Sequence, residues 1–181
     1  FFLARILGAL YFINNIDDKD LVARSRRSLI GNSVLFLVFF LSFVIRTLLA
    51  DGYAVNPETG EVFMEPYKYL TNFIEMPLVL VLFLIGVVLV LFGIGKSLLK
   101  TKFDKGIWFT GIGTVLAVLA LLLVAGYNNT AYYPSTNDLQ SSLTLANSCS
   151  SQFTLRVMFY VSFLVPFVLA YIFYAWRSID I

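Results

Sequence analysis

Three charged residues stand inside or at the edge of long apolar runs, and their types limit the chemistry open to this chain: Arg46, Glu75 and Arg156. Arg46 follows Leu29 by seventeen residues, which at ~1.5 Å rise per residue places it roughly 25 Å along a helix begun there. Glu75 falls early in the next apolar run, and Arg156 opens the last one. If neighbouring helices run antiparallel, all three gather near one face of a membrane. A carboxylate beside two guanidiniums can tie helices together as an ion cluster, with the arginines reaching for the interface. It can also line a proton or quinone route, the default expectation for ionisable groups within a membrane. Nearness to the interface favours the ion cluster, and both readings stay open.

Other chemistry is limited by what the chain lacks. It has no histidine, and haem iron and catalytic zinc lean heavily on imidazole. A haem would have to use Met64, Met76, Met158, Cys149 or a tyrosine, and no spacing among them suggests it. Cys149 is the one cysteine, so no intrachain disulfide can form. In its Ser-rich setting it reads as a small packed residue. Gly111 and Gly113 form no phosphate loop, having neither the lysine nor a preceding strand. Lysine and arginine are not gathered into the single basic patch that nucleic acid requires.

The elements that must position these residues are long and apolar. Leu29–Ala50, Thr71–Leu91, Ile107–Tyr127 and Thr154–Trp176 are each able to cross a ~30 Å hydrocarbon core, which takes about 20 residues as a helix. Charged residues make up 13% of the chain and the mean hydropathy is +0.84, against about a quarter charged in a soluble domain. The expected fold is an all-α integral membrane protein. Four complete transmembrane helices form an antiparallel bundle over 14–181. Residues 1–13 are expected to be the end of a further, truncated helix, too short to span by itself.

Charge in the loops alternates. Lys19, Arg24, Arg26 and Arg27 lie in the first loop, and Lys96, Lys100, Lys102 and Lys105 in the third. The second loop (51–70) holds Lys68 against Asp51, Glu58, Glu61 and Glu65, and the fourth (128–153) has no lysine or arginine. The positive-inside rule then puts loops one and three and the C-terminus in the cytoplasm. Trp108, Tyr127, Tyr174 and Trp176 sit at expected helix ends, where aromatic anchors belong.

Local signals refine the picture. Asp51-Gly52 and Asn56-Pro57-Glu58-Thr59-Gly60 predict a small hairpin in the second loop. The fourth loop has no hydrophobic period and needs support from helix ends or a partner. Pro77 falls early enough in its run to be tolerated, whereas Pro166 sits mid-span and predicts a kink or a freed carbonyl. Gly86, Gly93, Gly95, Gly111, Gly113 and Ala117 are small residues within spans. Gly113-xxx-Ala117 is a pattern that lets helices approach closely.

The stretch Ser142-Leu143-Thr144-Leu145-Ala146-Asn147-Ser148-Cys149-Ser150-Ser151, then Thr154-Leu155-Arg156-Val157-Met158, with Pro166 and the finish Tyr174-Ala175-Trp176, strongly resembles the C-terminal region of subunit II of the cytochrome bd quinol oxidases. Arg5-Ile6-Leu7-Gly8-Ala9-Leu10-Tyr11 and Asp51-Gly52-Tyr53 look like the same subunit. The resemblance implies one half of a protein built as two four-helix bundles, paired with a subunit I that resembles it and binds the haems, b-type and d-type. The complex would oxidise quinol on the outer side of the bacterial inner membrane and reduce dioxygen to water. The chain itself would bind no haem, and a structural quinone could lie in a lipid-facing groove. The family's proton-path acids belong to its N-terminal half, so no catalytic residue carries over to this sequence. The alternative is part of a small secondary transporter. Transporters carry broken helices and polar groups at mid-depth, and only the Pro166 region resembles that.

Overall fold

The computed structural model describes residues 1–100 and 103–179. Lys102, counted above in the basic third loop, and the last two residues lie outside the described residues. The chain divides into two compact units, Phe1–Thr144 and Leu145–Ile181.

In the first unit, α1 (Phe2–Asn15) presents Ile6, Ala9, Leu10 and Ile13 along one face and buries them. That spacing is the inward stripe of a 3.6-residue period. The face packs with Leu29 of α2 (Lys19–Leu49) and with Val90 and Ile94 of α4 (Pro77–Leu99). Asp18 starts α2: its Oδ1 accepts the backbone N–H of Asp20 at 2.8 Å and of Leu21 at 3.0 Å, satisfying donors that a helix start leaves unpaired. Phe2 stacks on Phe39, ring centres 5.7 Å apart, so α1 and α2 run back along each other.

The second expected span, Thr71–Leu91, is divided. Lys68–Glu75 form the short helix α3, and the membrane helix begins only at Pro77 and continues to Leu99. Met76 between them has φ −115° and ψ 72°. The physical reason is Pro77, whose ring pushes the preceding residue out of the α region while fitting the first turn of the next helix.

α4 and α5 (Gly106–Gly126) form a close antiparallel pair. A Cβ on Gly86 would meet Ala117 N at 2.6 Å and Gly113 O at 2.8 Å, and one on Gly113 would meet Gly86 O at 2.6 Å. Gly93 lies against Thr110 and Gly106 in the same register. Gly95 and Gly111 point to open space, so only some of the small residues serve the contact. Without a hydrophobic force between helices in lipid, such backbone approach is what holds a pair.

The expected hairpin is present. β1 (Gly52–Val55) pairs antiparallel with β2 (Val62–Glu65), in the register Gly52↔Glu65 to Val55↔Val62. Gly60 closes the turn at φ +74°, a conformation open to glycine. The polar fourth loop leans on this hairpin. Thr130 bridges Ala54, Val55 N donates to Asn129 O at 2.8 Å, and Ala131 N donates to Tyr53 O at 2.8 Å. The Gln140 side chain brackets Val62, accepting from its N–H at 3.0 Å and donating to its C=O at 2.9 Å. A 3-10 turn, Leu139–Ser141, carries Gln140 to that place.

The second unit holds α6 (Leu145–Ser148), α7 (Gln152–Ser162) and α8 (Leu164–Ile179). Ser151 caps α7 by accepting from Thr154 N at 3.3 Å. The break falls at Phe163, whose N–H turns to Tyr160 O at 3.2 Å. Pro166 has no N–H for the carbonyl of Ser162, so the predicted interruption of this span occurs one turn ahead of the proline.

Four stretches are long and apolar enough to cross a membrane: Lys19–Leu49, Pro77–Leu99, Gly106–Gly126 and Gln152–Ile179. The protein is an all-α membrane protein, as its sequence predicts. The tight bundle described is that of α1, α2, α4 and α5 within the first unit.

Candidate functional site

Glu75 ends α3 rather than entering a span, and it is exposed. Its Oε2 accepts from the side-chain amide of Asn128. Asn128 adopts φ +57° just after α5, a left-handed conformation that asparagine tolerates better than most residues. That turn aims its Nδ2 both at Glu75 and at Asn72 Oδ1, 3.1 Å away. Asn72 is 0% exposed. Its Nδ2 donates to Val124 O at 2.8 Å and to Thr130 Oγ1 at 2.8 Å, and Thr130 Oγ1 donates to Asn128 O at 3.2 Å. A closed polar network thus joins α3, the end of α5 and the strand-like start of the fourth loop. Sequence reasoning passed over Asn72, Asn128 and Thr130. The available signal was an asparagine on the inward face of a short amphipathic segment, since buried amides must find partners.

Arg46 lies in the last turn of α2, exposed. Among the described residues no ion pair joins it to Glu75; the ion pair present is Lys68 to Glu65 at 3.1 Å. Arg156 stands exposed early in α7, in the second unit. Within the first unit, what meets Glu75 is therefore the amide of Asn128.

Around the hairpin, Lys68 is only 6% exposed. Its stem lies so close to Gly52 that a Cβ there would meet Lys68 Cβ at 2.6 Å. Glycine at 52 is what lets the lysine lie down beside β1 and reach Glu65. Next to it, burial pushes the Tyr69 hydroxyl above its ordinary value of 10.0, and the neighbouring Tyr53 adds to the shift. This corner is a buried structural joint between hairpin and α3.

At the other end of the unit, Arg26 reaches from α2 to the end of α4. It donates to the carbonyl of Ser97, to Lys100 O at 3.3 Å and to Phe103 O at 3.5 Å. Guanidinium donors suit carbonyls left unpaired at a helix C-terminus. Lys96 lies over the rings of Phe92 at 4.8 Å and Phe103 at 4.7 Å.

Between α2, α4 and α5, with Leu3 of α1 at one side, runs a groove of about 420 Å³. Phe36, Phe40, Phe43, Val87 and Leu121 are among its lining. Its one side-chain hydroxyl, on Thr114, already donates to Thr110 O at 2.7 Å. The groove suits a hydrocarbon chain and offers a polar ring little to bond.

These features define a multi-pass helical membrane protein whose polar side chains build joints at the helix ends. The chain belongs to a respiratory family: the model for cytochrome bd terminal oxidase subunit II matches residues 1–179. It is similar to cytochrome bd-I ubiquinol oxidase subunit 2 of Escherichia coli strain K12, 32% identical over 131 residues, covering 71% of this chain and 33% of that protein. The subunit 2 proteins of the O6:H1 and O157:H7 strains match to the same extent. The chain spans about a third of the length of these curated relatives. Family and apolar helices together make it a bacterial inner-membrane protein.

Proposed function

We propose that this chain works as subunit II of a cytochrome bd-type quinol:oxygen oxidoreductase, supporting a haem-bearing subunit I that oxidises quinol and reduces dioxygen to water. The observation that carries the reading is the family match over nearly the whole chain. The absence of histidine supports haems b and d lying in the partner. The work left to this chain is to pack, to hold its outer joint rigid and to shape the lipid-facing surface.

The alternation of basic loops supports an orientation with the Asn14–Ser28 and Lys96–Gly106 loops and the C-terminus in the cytoplasm. The hairpin and the Asn72 network then face outward, on the side where quinol would be oxidised. A structural quinone, if this chain holds one, finds room for its isoprenoid tail in the Phe36–Phe40–Phe43 groove. The ring would need donors from elsewhere, because Thr114 is committed to Thr110.

The test is purification of the full-length, tagged protein from membranes in mild detergent, followed by a reduced-minus-oxidised visible spectrum. Haem b and haem d bands with a larger co-purifying subunit are the expected result. A colourless preparation that keeps its helices and brings down no partner would sink the reading.

A further inference from the structure

We propose that the outward face of α1 around Arg5 receives a transmembrane helix of a partner chain, which brings an aspartate or glutamate to the arginine at mid-membrane depth.

The depth follows from a ring contact. Phe2 stacks on Phe39. Phe39 stands twelve residues after Arg27 and ten before Leu49, roughly 18 Å and 15 Å along α2 at ~1.5 Å per residue. Arg5 lies one turn from Phe2 on the antiparallel helix. In sequence it sits near the start of a short apolar run, and the packing of α1 on α2 puts that start at mid-span. Cα–Cβ bonds tilt toward the N-terminus of a helix, so the side chain leans back over the Phe1 ring, with Cζ 5.7 Å from its centre. The guanidinium thus points away from the nearer, Asn15 end of α1 and does not snorkel to the interface there.

No anion meets it within this chain. Arg5 is exposed, and the ion pair among the described residues is Lys68–Glu65. The eleven aspartates and glutamates of the sequence fall in the links, the hairpin, the fourth loop, the tail and the terminal turns of helices, and none stands in the interior of a span. A second copy of this chain therefore brings no carboxylate to that depth. Lipid headgroups lie about 15 Å away, beyond half of a ~30 Å hydrocarbon core. An unpaired cation in the middle of a membrane is costly and marks a position that is paired in the assembly. A carboxylate on another membrane helix is the complementary charge.

The face around Arg5 suits a helix. Phe1, Ala4, Arg5, Tyr11 and Phe12 are its exposed residues, at the spacing of one helical stripe opposite the buried Ile6, Ala9, Leu10 and Ile13. Gly8 lies at the centre of that stripe, and a Cβ there would meet nothing within 4 Å. Ala4-xxx-Gly8 lets a second backbone come close beside the arginine. The small pair permits the approach, and the charge defines what approaches. The carboxylate follows from the charge; its place on a separate chain rests on the subunit reading proposed above.

The experiment uses the full-length protein in its own membranes, with Ala4 replaced by the photoreactive p-benzoyl-phenylalanine. After irradiation the cross-linked peptide is sequenced by mass spectrometry. The expected product is one transmembrane helix of another chain, with an aspartate or glutamate within a turn of the cross-link. Arg5→Glu should then lower recovery of that chain by roughly tenfold or more, and reversal of the identified acid to arginine should restore it. This reciprocal pair also serves if Arg5→Glu by itself fails to assemble. Arg27→Gln, on the exposed basic stretch of α2, should recover the partner as the wild type does. Cross-links to lipid alone, to a second copy, to another stretch of the same polypeptide or to a helix without an acid overturn the proposal. So does wild-type recovery by Arg5→Gln, or a reciprocal pair that restores nothing. The haem bands of the same preparations report separately on the oxidase reading, so either can fail without the other.

Discussion

Asn72 and Thr130 lie 58 residues apart in sequence, and the buried amide of one donates to the hydroxyl of the other at 2.8 Å. This single contact closes one end of the first unit, since Asn72 also holds Val124 O and Asn128. Asn72→Ala removes both donations and strands the Val124 carbonyl, while Thr130 Oγ1 keeps its bond to Asn128 O. An unsatisfied buried group costs about 1–3 kcal/mol, so a loss of roughly 2 kcal/mol is expected. It should appear as a lower unfolding midpoint of the purified complex and as faster proteolysis between residues 128 and 144. An unchanged midpoint would mean that the network is incidental.

Glu75 separates structural from chemical roles. Glu75→Gln keeps an acceptor for Asn128, so assembly is expected to be normal and oxygen consumption unchanged. Glu75→Ala loses that exposed contact, at about 1 kcal/mol or less. Normal assembly with slowed turnover in Glu75→Gln would instead assign the carboxylate to a proton or quinone route. Arg46→Ala is expected to be nearly silent, because this exposed arginine makes no ion pair among the described residues. Arg156→Gln is the matching test in the second unit.

Glycine substitutions should sort by register and not by position in the membrane. Gly86→Val drives a side chain into the backbone of α5 at Gly113 and Ala117, and the expected result is loss of assembled protein from the membrane. Gly95→Ala and Gly111→Ala meet nothing within 4 Å and should be tolerated, with slightly better helix propensity. Expression of a fluorescent fusion, read by size-exclusion chromatography, distinguishes the two classes.

These cases show where sequence reasoning reached and where it stopped. The spans were legible because a long uncharged run admits few other fates, and the hairpin was legible in Asn56-Pro57 and Gly60. The break at Met76 was not read, although Pro77 announces it, because the apolar run conceals a change of helix. The Gly113–Ala117 spacing pointed to a close contact, but only the partner register separates Gly93 from Gly95. Asn72 and Asn128 were opaque for a different reason. Each looks like an ordinary solvated amide until the fold brings α3 against the end of α5.

Tyr69 sets an alkaline limit. Its hydroxyl titrates above the ordinary 10.0 because burial disfavours the phenolate and Tyr53 adds to the effect. Between that value and the raised one, the folded protein keeps a proton the unfolded chain has released. Stability therefore falls as pH rises through this window and is fully present below it. Tyr69→Phe should remove that part of the slope. Unfolding midpoints measured on both sides of pH 10 decide the matter.

Arg26 offers the sharpest test of the opposite end of the first unit. Its guanidinium serves the carbonyls of Ser97 and Lys100 at the end of α4 and of Phe103 in the link beyond it, and the Ser97 carbonyl is one that no further turn of α4 satisfies. It also places a positive charge at the negative end of the helix dipole. Hydrogen bonds from a charged donor are worth about 1.5–3 kcal/mol, and partial burial keeps most of that here. Arg26→Ala is therefore expected to destabilise by roughly 2 kcal/mol and to loosen the link between α4 and α5, raising amide exchange at Leu98–Lys100. Arg26→Lys keeps the charge but not the fork, so it should restore the dipole contribution and only part of the exchange protection. Full rescue by lysine would show that charge alone holds the end of α4. No loss in Arg26→Ala would show that these carbonyls find other partners.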